Sequence, residues 1–315
     1  MKPVLLIAAA LAGLSSAAQA EWPDHAVQMI VPFPAGGTID VVARRFAQAF
    51  SEQIKQPVPV MNRDGASGTI GTTAVVNSQA DGNTVGFIPN GPLTVQPTLN
   101  PKLNYAIGSL KPVCQVFSFP FVLAVRADSP YKSLQDFLKA ARAAAPSKEL
   151  TSGYGGFGTA AHFALLETSQ ASKVKVLGVA FRGDPPVALA LKGGDIESAV
   201  LTVEVVRQQG FKPLAVFADQ RLSTLPQVPT AREQGIDVVA STTNGLFAPA
   251  RTPAAVVSKM ETACAAATSS RDFRDGMKQM NQTVNYLDSE KFESILRADA
   301  EIKRRLIQAS GIQQE

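Results

Sequence analysis

Three glycine-rich loops are where backbone groups of this chain can reach a bound molecule. The first runs Phe33-Pro34-Ala35-Gly36-Gly37-Thr38, ahead of Ile39, Val42, Phe46, Ala49 and Phe50 at helical spacing. Lacking Cβ atoms, Gly36 and Gly37 let N–H groups approach an anion closely, and a helix N-terminus adds partial positive charge. That charge is worth about 0.3 to 1 kcal/mol per helix end, and up to about 2 kcal/mol where the end is partly buried. The second loop, Asn62 to Gly71, repeats the device with Gly65, Gly68 and Gly71 and adds the hydroxyls of Ser67 and Thr69. Either loop alone is satisfied by a tight strand-to-helix turn, but two in succession point to a seat for one carboxylate.

The third loop, Gly153 to Gly158, fits G-x-G-x-x-G between a strand and a helix, the context of a dinucleotide site. The acid such a site needs would be Asp184, which follows a glycine instead of closing a strand. The same loop can instead present Tyr154, Thr159 and the amides of Gly155 and Gly156 to a ligand from the opposite side. Other chemistry is poorly supplied. His25 and His162 are the only histidines and the two cysteines are far apart, so no metal-ligand spacing exists. No G-x-S-x-G elbow surrounds a serine. His162 reads as a packed residue in the first turn of its helix, and Arg44 and Arg45 as a solvated face. No cofactor is implied and an enzyme is not indicated; an exported enzyme using His162 or the third loop is the alternative.

The chain has 315 residues, 30 Lys and Arg against 26 Asp and Glu, and a net charge of +4 spread along its length. The run Lys303-Arg304-Arg305 lies in a helical pattern and reads as a solvated face, so no nucleic-acid partner is expected. Residues 1–20 carry Lys2, an apolar stretch from Val4 to Leu14 and Ala18-Gln19-Ala20, which reads as a cleavable secretory signal with Glu21 as the first mature residue. The stretch is too short for roughly 30 Å of hydrocarbon, and no later segment reaches about 20 apolar residues. Export to the periplasm as a soluble monomer is expected. No Cys follows the signal to carry a lipid. Cys114 and Cys264 are then free to form a disulfide or to stay as two buried thiols.

These loops must be held by sheets. Strand, loop and helix alternate from Val27 to Ile88: strands at 27–32, 57–61 and 84–88, helices from Ile39 and at 69–80. This order builds a parallel sheet with helices on its faces. After an irregular stretch from Asn90 to Pro112 the pattern restarts: strands at 121–126, 148–152, 175–181, 196–201 and 213–217, with helices at 134–145 (Ser133 as N-cap), 159–170 and up to Leu191. Beyond Pro253 the spacing predicts helices at 254–268, 271–279 and 289–309, with no third sheet to cover, so they pack back on the first lobe. The expected division is a signal at 1–20, one discontinuous lobe from 21–120 and 247–315, and a second from 121–246. Two loop crossings, near Phe119 to Val122 and Thr243 to Ala248, would form the hinge.

Four stretches resemble one known family: Val31 to Asp40, Gly65 to Gly71, Gly155 to His162, and Leu225 to Gly235. The chain is similar to substrate-binding receptors of tripartite tricarboxylate transporters, the Bug receptors. The resemblance implies a two-lobed, type II-like periplasmic-binding-protein fold of the α/β class that delivers a small carboxylated ligand to a membrane permease. A signalling receptor that presents its ligand to a sensor protein would share the same site. It further implies that the first two loops grip a carboxylate through backbone amides and ordered water, without an obligatory arginine. Gly155, Gly156 and Thr159, with the Arg182-Gly183-Asp184 turn, would contact the rest of the ligand, and Arg182 is the candidate for a second acid group. The expected ligand-binding set is Phe33, Ala35, Gly36, Gly37, Thr38, Ser67, Gly68, Thr69, Asn90, Tyr154, Gly155, Gly156, Thr159, Arg182 and Asp184. Departures from the family pattern are Ala35, Asp64, Ser67, Asn244 and the Phe181-Arg182 start of its turn. Asp64 would oppose an anion unless it faces solvent or pairs with Arg63.

Overall fold

The computed structural model of the chain describes residues 22–144, 148–280, 282–310 and 312. The expected export signal, Glu21 and Ala145 lie outside them. In chain order the elements are β1 (Gln28–Val31), α1 (Thr38–Ile54), β2 (Val60–Asn62), α2 (Thr69–Val76), β3 (Thr84–Pro89), α3 (Gly91–Thr94), α4 (Gln96–Leu99) and β4 (Leu110–Val125). They continue with α5 (Leu134–Ala144), β5 (Thr151–Tyr154), α6 (Ala160–Ser172), β6 (Leu177–Ala180), α7 (Asp184–Gly193), β7 (Ser198–Thr202), α8 (Val203–Gln208) and β8 (Lys212–Val216). Last come β9 (Ser241–Pro249), α9 (Ala254–Ser269), α10 (Arg271–Gln279), β10 (Val284–Leu287) and α11 (Ser289–Ser310).

In the first lobe β2, β1 and β3 lie side by side and parallel, with Met29 opposite both Val60 and Val85. Strands covered on both faces read as continuous apolar runs, which is why Val27 and Met29 to Val31 are all buried. The apolar stripe of α1 packs on this sheet: Phe46 lies 5.5 Å from Phe50 and 5.6 Å from Phe87 of β3, ring centre to ring centre. In the second lobe β6, β5 and β7 are likewise parallel. The sheet order is β2-β1-β3-β9-β4-β7-β5-β6, with β8 and β10 also pairing with β4. The fold is the expected two-lobed α/β class.

The connection between lobes differs from expectation. The crossings are paired strands, not loops: β4 and β9 run antiparallel from Leu110 opposite Pro249 to Pro120 opposite Ser241. Beyond that ribbon β4 continues into the second lobe, where Phe121 to Ala124 pair with β7. Residues 90–112, expected to be irregular, contain α3, α4 and the start of β4. Pro92 and Pro97 sit in the first turns of the two short helices, where a missing N–H costs nothing. The C-terminal region is not wholly helical either, since β10 pairs with β4 through Val284 opposite Phe117.

The two cysteines form a disulfide that ties β4 to α9, with Cα atoms 6.6 Å apart. α9 and α10 cover the first lobe, where Phe273 meets Phe46 edge-on at 6.0 Å. By contrast, α11 spans both lobes. Its first half buries Phe292 and Leu296 against Phe247 and Ile88. Near its end Lys303 Nζ donates to Glu167 of α6 at 2.5 Å, the two side chains being only 8% and 15% exposed. The ammonium also lies 4.9 Å from the Phe163 ring centre. Ile307 joins Val95, Leu99 and Phe163 in a small apolar cluster between the lobes.

Because the disulfide closes a loop of 150 positions, it removes much freedom from the unfolded chain. Replacing both cysteines by serine should lower unfolding free energy by about 2 to 4 kcal/mol in urea titrations. An unchanged midpoint would contradict that role.

Candidate functional site

Parallel β1 and β2 send their following loops out at the same edge, the carboxyl edge where open sheets bind ligands. The loops touch. Asn62 Nδ2 donates to Phe33 O at 3.0 Å, and a Cβ on Gly68 would come within 2.8 Å of Pro92 and 3.1 Å of the Phe33 ring. Gly68 also has φ 88°, so glycine is required there on both counts. Gly37 caps α1 from extended backbone without a side-chain cap, so the amides of Thr38 and Ile39 open the helix with no partner inside it. Ala35, Gly36 and Gly37 are exposed and Phe33 and Thr38 half-buried. In the second loop Ala66 and Ser67 adopt left-handed backbone, φ 46° and 53°, at a cost of about 1 to 2 kcal/mol each. The Thr69 hydroxyl is engaged with Ala66 O at 2.9 Å. Asp64 is exposed.

Asp40, 3% exposed, joins the two loops. Its carboxylate accepts from the Gly36 amide at 2.9 Å, Arg44 Nε at 3.1 Å and Asn62 Nδ2 at 2.8 Å. Arg44 also donates to Asn62 Oδ1 at 2.7 Å, so it is a structural partner and not simply part of a solvated face. The Gly36 amide, expected to face a ligand, is thus occupied by the protein's own acid. Burial alone would raise the Asp40 carboxyl, but hydrogen bonds from Arg44, Gly36 and Asn62 outweigh it and hold the group below its ordinary value.

On the second lobe, the third loop separates into packed and presented parts. Gly153 lies inside β5, where a Cβ would sit 2.5 Å from Ile196; its glycine serves packing and not phosphate approach. Tyr154 is also buried, its ring stacked on His162 at 4.5 Å, so its side chain supports the loop from below. His162 Nδ1 accepts from the Gly158 amide at 3.1 Å, and burial lowers its pKa to about 4, leaving it neutral near pH 7. The Thr159 hydroxyl caps α6, donating to Gly156 O at 2.8 Å and accepting from the His162 amide at 3.4 Å. Gly155 is pressed against Asp184, whose Oδ1 would lie 2.7 Å from a Cβ there. Burial pushes the Asp184 carboxyl up to about 6, against hydrogen bonds from Thr202 that favour the charged form. Arg182 is exposed. Asn90, on the first lobe, spends its side chain on the framework: Nδ2 donates to Asp299 at 2.8 Å, and Oδ1 accepts from the Thr243 amide at 3.4 Å.

The lobes meet at the third loop. Phe157 O accepts from Ser67 Oγ at 3.0 Å and from Gln96 Nε2 at 3.4 Å. A Cβ on Gly156 would stand 4.0 Å from Ser67 Oγ, which sets the second and third loops face to face. Among the described residues no three His, Cys, Asp or Glu lie close enough to hold a metal, and no helix is long and apolar enough to cross a membrane.

Residues 42–312 match the profile of the tripartite tricarboxylate transporter family receptor. The chain belongs to that family. BugT of Bordetella pertussis is 34% identical over 263 residues, covering 81% of this chain and 80% of that protein. A solved R. palustris protein with adipate superposes with TM-score 0.84 at 25% identity, covering 93% of this chain and 99% of its own. MatC from Rhodopseudomonas palustris with bound malate gives TM-score 0.79 at 27% identity, covering 91% and 100%. This protein is therefore a solute-binding receptor of a family of periplasmic receptors.

Within the receptor, sequence reasoning assigned no role to Asp40, Asn62, Gln96 or Phe157. One signal existed for Asp40: an acid at the third helical position suits the positive end of a helix and can reach back to preceding amides. The other contacts join distant positions and leave no spacing to read.

Because the Asp40 carboxyl is held below its ordinary value, its stabilisation is full above the usual carboxylate range and is lost as pH falls through its folded value. Asp40→Asn should therefore cost about 1.5 to 3 kcal/mol at neutral pH. That deficit against the unsubstituted receptor should shrink as pH falls below about 4. Paired denaturant titrations across this range would refute it by showing a constant deficit.

Proposed function

We propose that this receptor captures a small carboxylated molecule between its lobes, closes on it and delivers it to the membrane permease of a tripartite tricarboxylate-type transporter. The observation that carries the reading is the pair of helix starts, α1 and α2, opening side by side at one sheet edge. On this reading one ligand carboxylate sits on the Gly37 and Thr38 backbone beside the second loop, whose Gly68 and Thr69 amides are held by Gly65 O and Ala66 O and whose Ser67 hydroxyl ties it to Phe157 O, and Gly155, Gly156 and Thr159 close over it. Adipate and malate in the solved relatives support the acid class. The protein works as an exported monomer without chemistry of its own, its lobes divided at 21–120 with 247–315 and at 121–246. A ligand that touches both lobes favours the closed form by its differential affinity for it.

Two measurements test this. Ligand-stripped protein should melt several degrees higher with the right acid among mono-, di- and tricarboxylates, since about a hundredfold excess over Kd adds about 2.7 kcal/mol; no shift with any acid would refute the reading. Ser67→Gly relieves left-handed strain yet removes the bond to Phe157. It should leave the ligand-free melt unchanged or raised while weakening acid binding roughly fivefold. Delivery is tested by uptake of the same acid in cells lacking the receptor.

A further inference from the structure

We infer that the ligand carries, beyond its carboxylate, a hydrogen-bond donor, an ammonium or a hydroxyl, which the second-lobe side of the gap receives through Asp184; this rests on the receptor reading above. Asp184 opens α7 just beyond the end of β6. Since β5, β6 and β7 are parallel, Tyr154, Ala180 and Thr202 all end at one edge, the edge at which an open sheet receives ligand. The carboxyl lies directly against Gly155, and the next residue, Gly156, faces Ser67 of the anion seat. An acid of the protein and a seat for an acid of the ligand are therefore separated by two glycines.

The electrostatics of that arrangement are one-sided. Among the described residues Asp184 has no ion pair, and its partner is Thr202. Arg182 is exposed at the preceding turn. A second, independent group points the same way. Gln96 is 1% exposed, and its Nε2 donates to Phe157 O at 3.4 Å. That bond fixes the orientation of the amide, so Oε1 is left as a buried acceptor with no partner, beside the third loop. Buried acceptors without partners call for donors, and the half-buried Asp184 carboxylate favours a positive or hydrogen-bearing neighbour. A dicarboxylate would bring further acceptors to both groups.

Calorimetry at about pH 8, where Asp184 is ionised, tests this on matched acids: butyrate, 4-hydroxybutyrate, 4-aminobutyrate and succinate, with their longer homologues up to adipate. The amino or hydroxy member of one set should bind at least roughly tenfold tighter than its matched dicarboxylate. Asp184→Asn should reduce that preference by roughly tenfold, with a ligand-free melt recorded alongside. Should the variant not fold, the ranking in the unsubstituted protein decides by itself. Preference for a dicarboxylate overturns the inference, most pointedly if Arg182→Gln abolishes it, and so does a ranking that folded Asp184→Asn leaves intact. Binding of acids without the amino or hydroxy preference defeats this inference alone; binding of none defeats the receptor reading and this inference with it.

Discussion

The enclosed carboxylate of Asp40 is the contact on which the shape of the first two glycine loops depends. It takes one amide from the first loop, one carboxamide from the end of β2 and one guanidinium from its own helix, so two loops that follow different strands become one unit. Removing a carboxylate from water costs several kcal/mol unless donors replace the lost hydration. Three donors do so here, one of them charged. The result is a surface ordered before any ligand arrives, which lowers the entropy lost on binding. It also sets a limit. Part of the positive end of α1 is already neutralised from within, so an anion at the proposed seat would draw more on individual amides than on the first helix dipole.

Much of the architecture was legible because its signals are local. Alternating apolar strands and helical spacing gave both lobes, Ser133 marked the start of α5, and Arg271 to Gln279 is α10 residue for residue. The failures have physical causes. Pro112 closed the stretch read as irregular, yet it lies inside β4, whose ladder with β9 shifts register between Pro112 and Cys114, where a missing N–H is tolerated. β10 is four residues between two helices, too short for its alternation to stand out. At the site, the glycines announced where backbone could approach a ligand. They could not announce that Gly36 is already bonded, that Tyr154 points into the core, or that Asn90 braces β9 and α11, because each fact depends on a partner far along the chain.

The same distant partners explain how two lobes joined by a continuous ribbon can still meet in one defined pose. Ser67 and Gln96 converge on the Phe157 carbonyl, while α11 reaches across with Lys303 and Ile307. Each hydrogen bond is worth about 0.5 to 1.5 kcal/mol net. The buried Lys303–Glu167 pair adds less than its short distance suggests, because desolvation of both charges offsets their attraction. Such a set specifies orientation strongly and closure weakly. That balance suits the proposed receptor cycle, in which contacts between protein groups would choose the closed form and a ligand bridging the lobes would supply the remaining free energy that populates it. Had the interlobe contact been a broad apolar face instead of a few polar bonds and one small cluster, closure would proceed without ligand and the cleft could not reload.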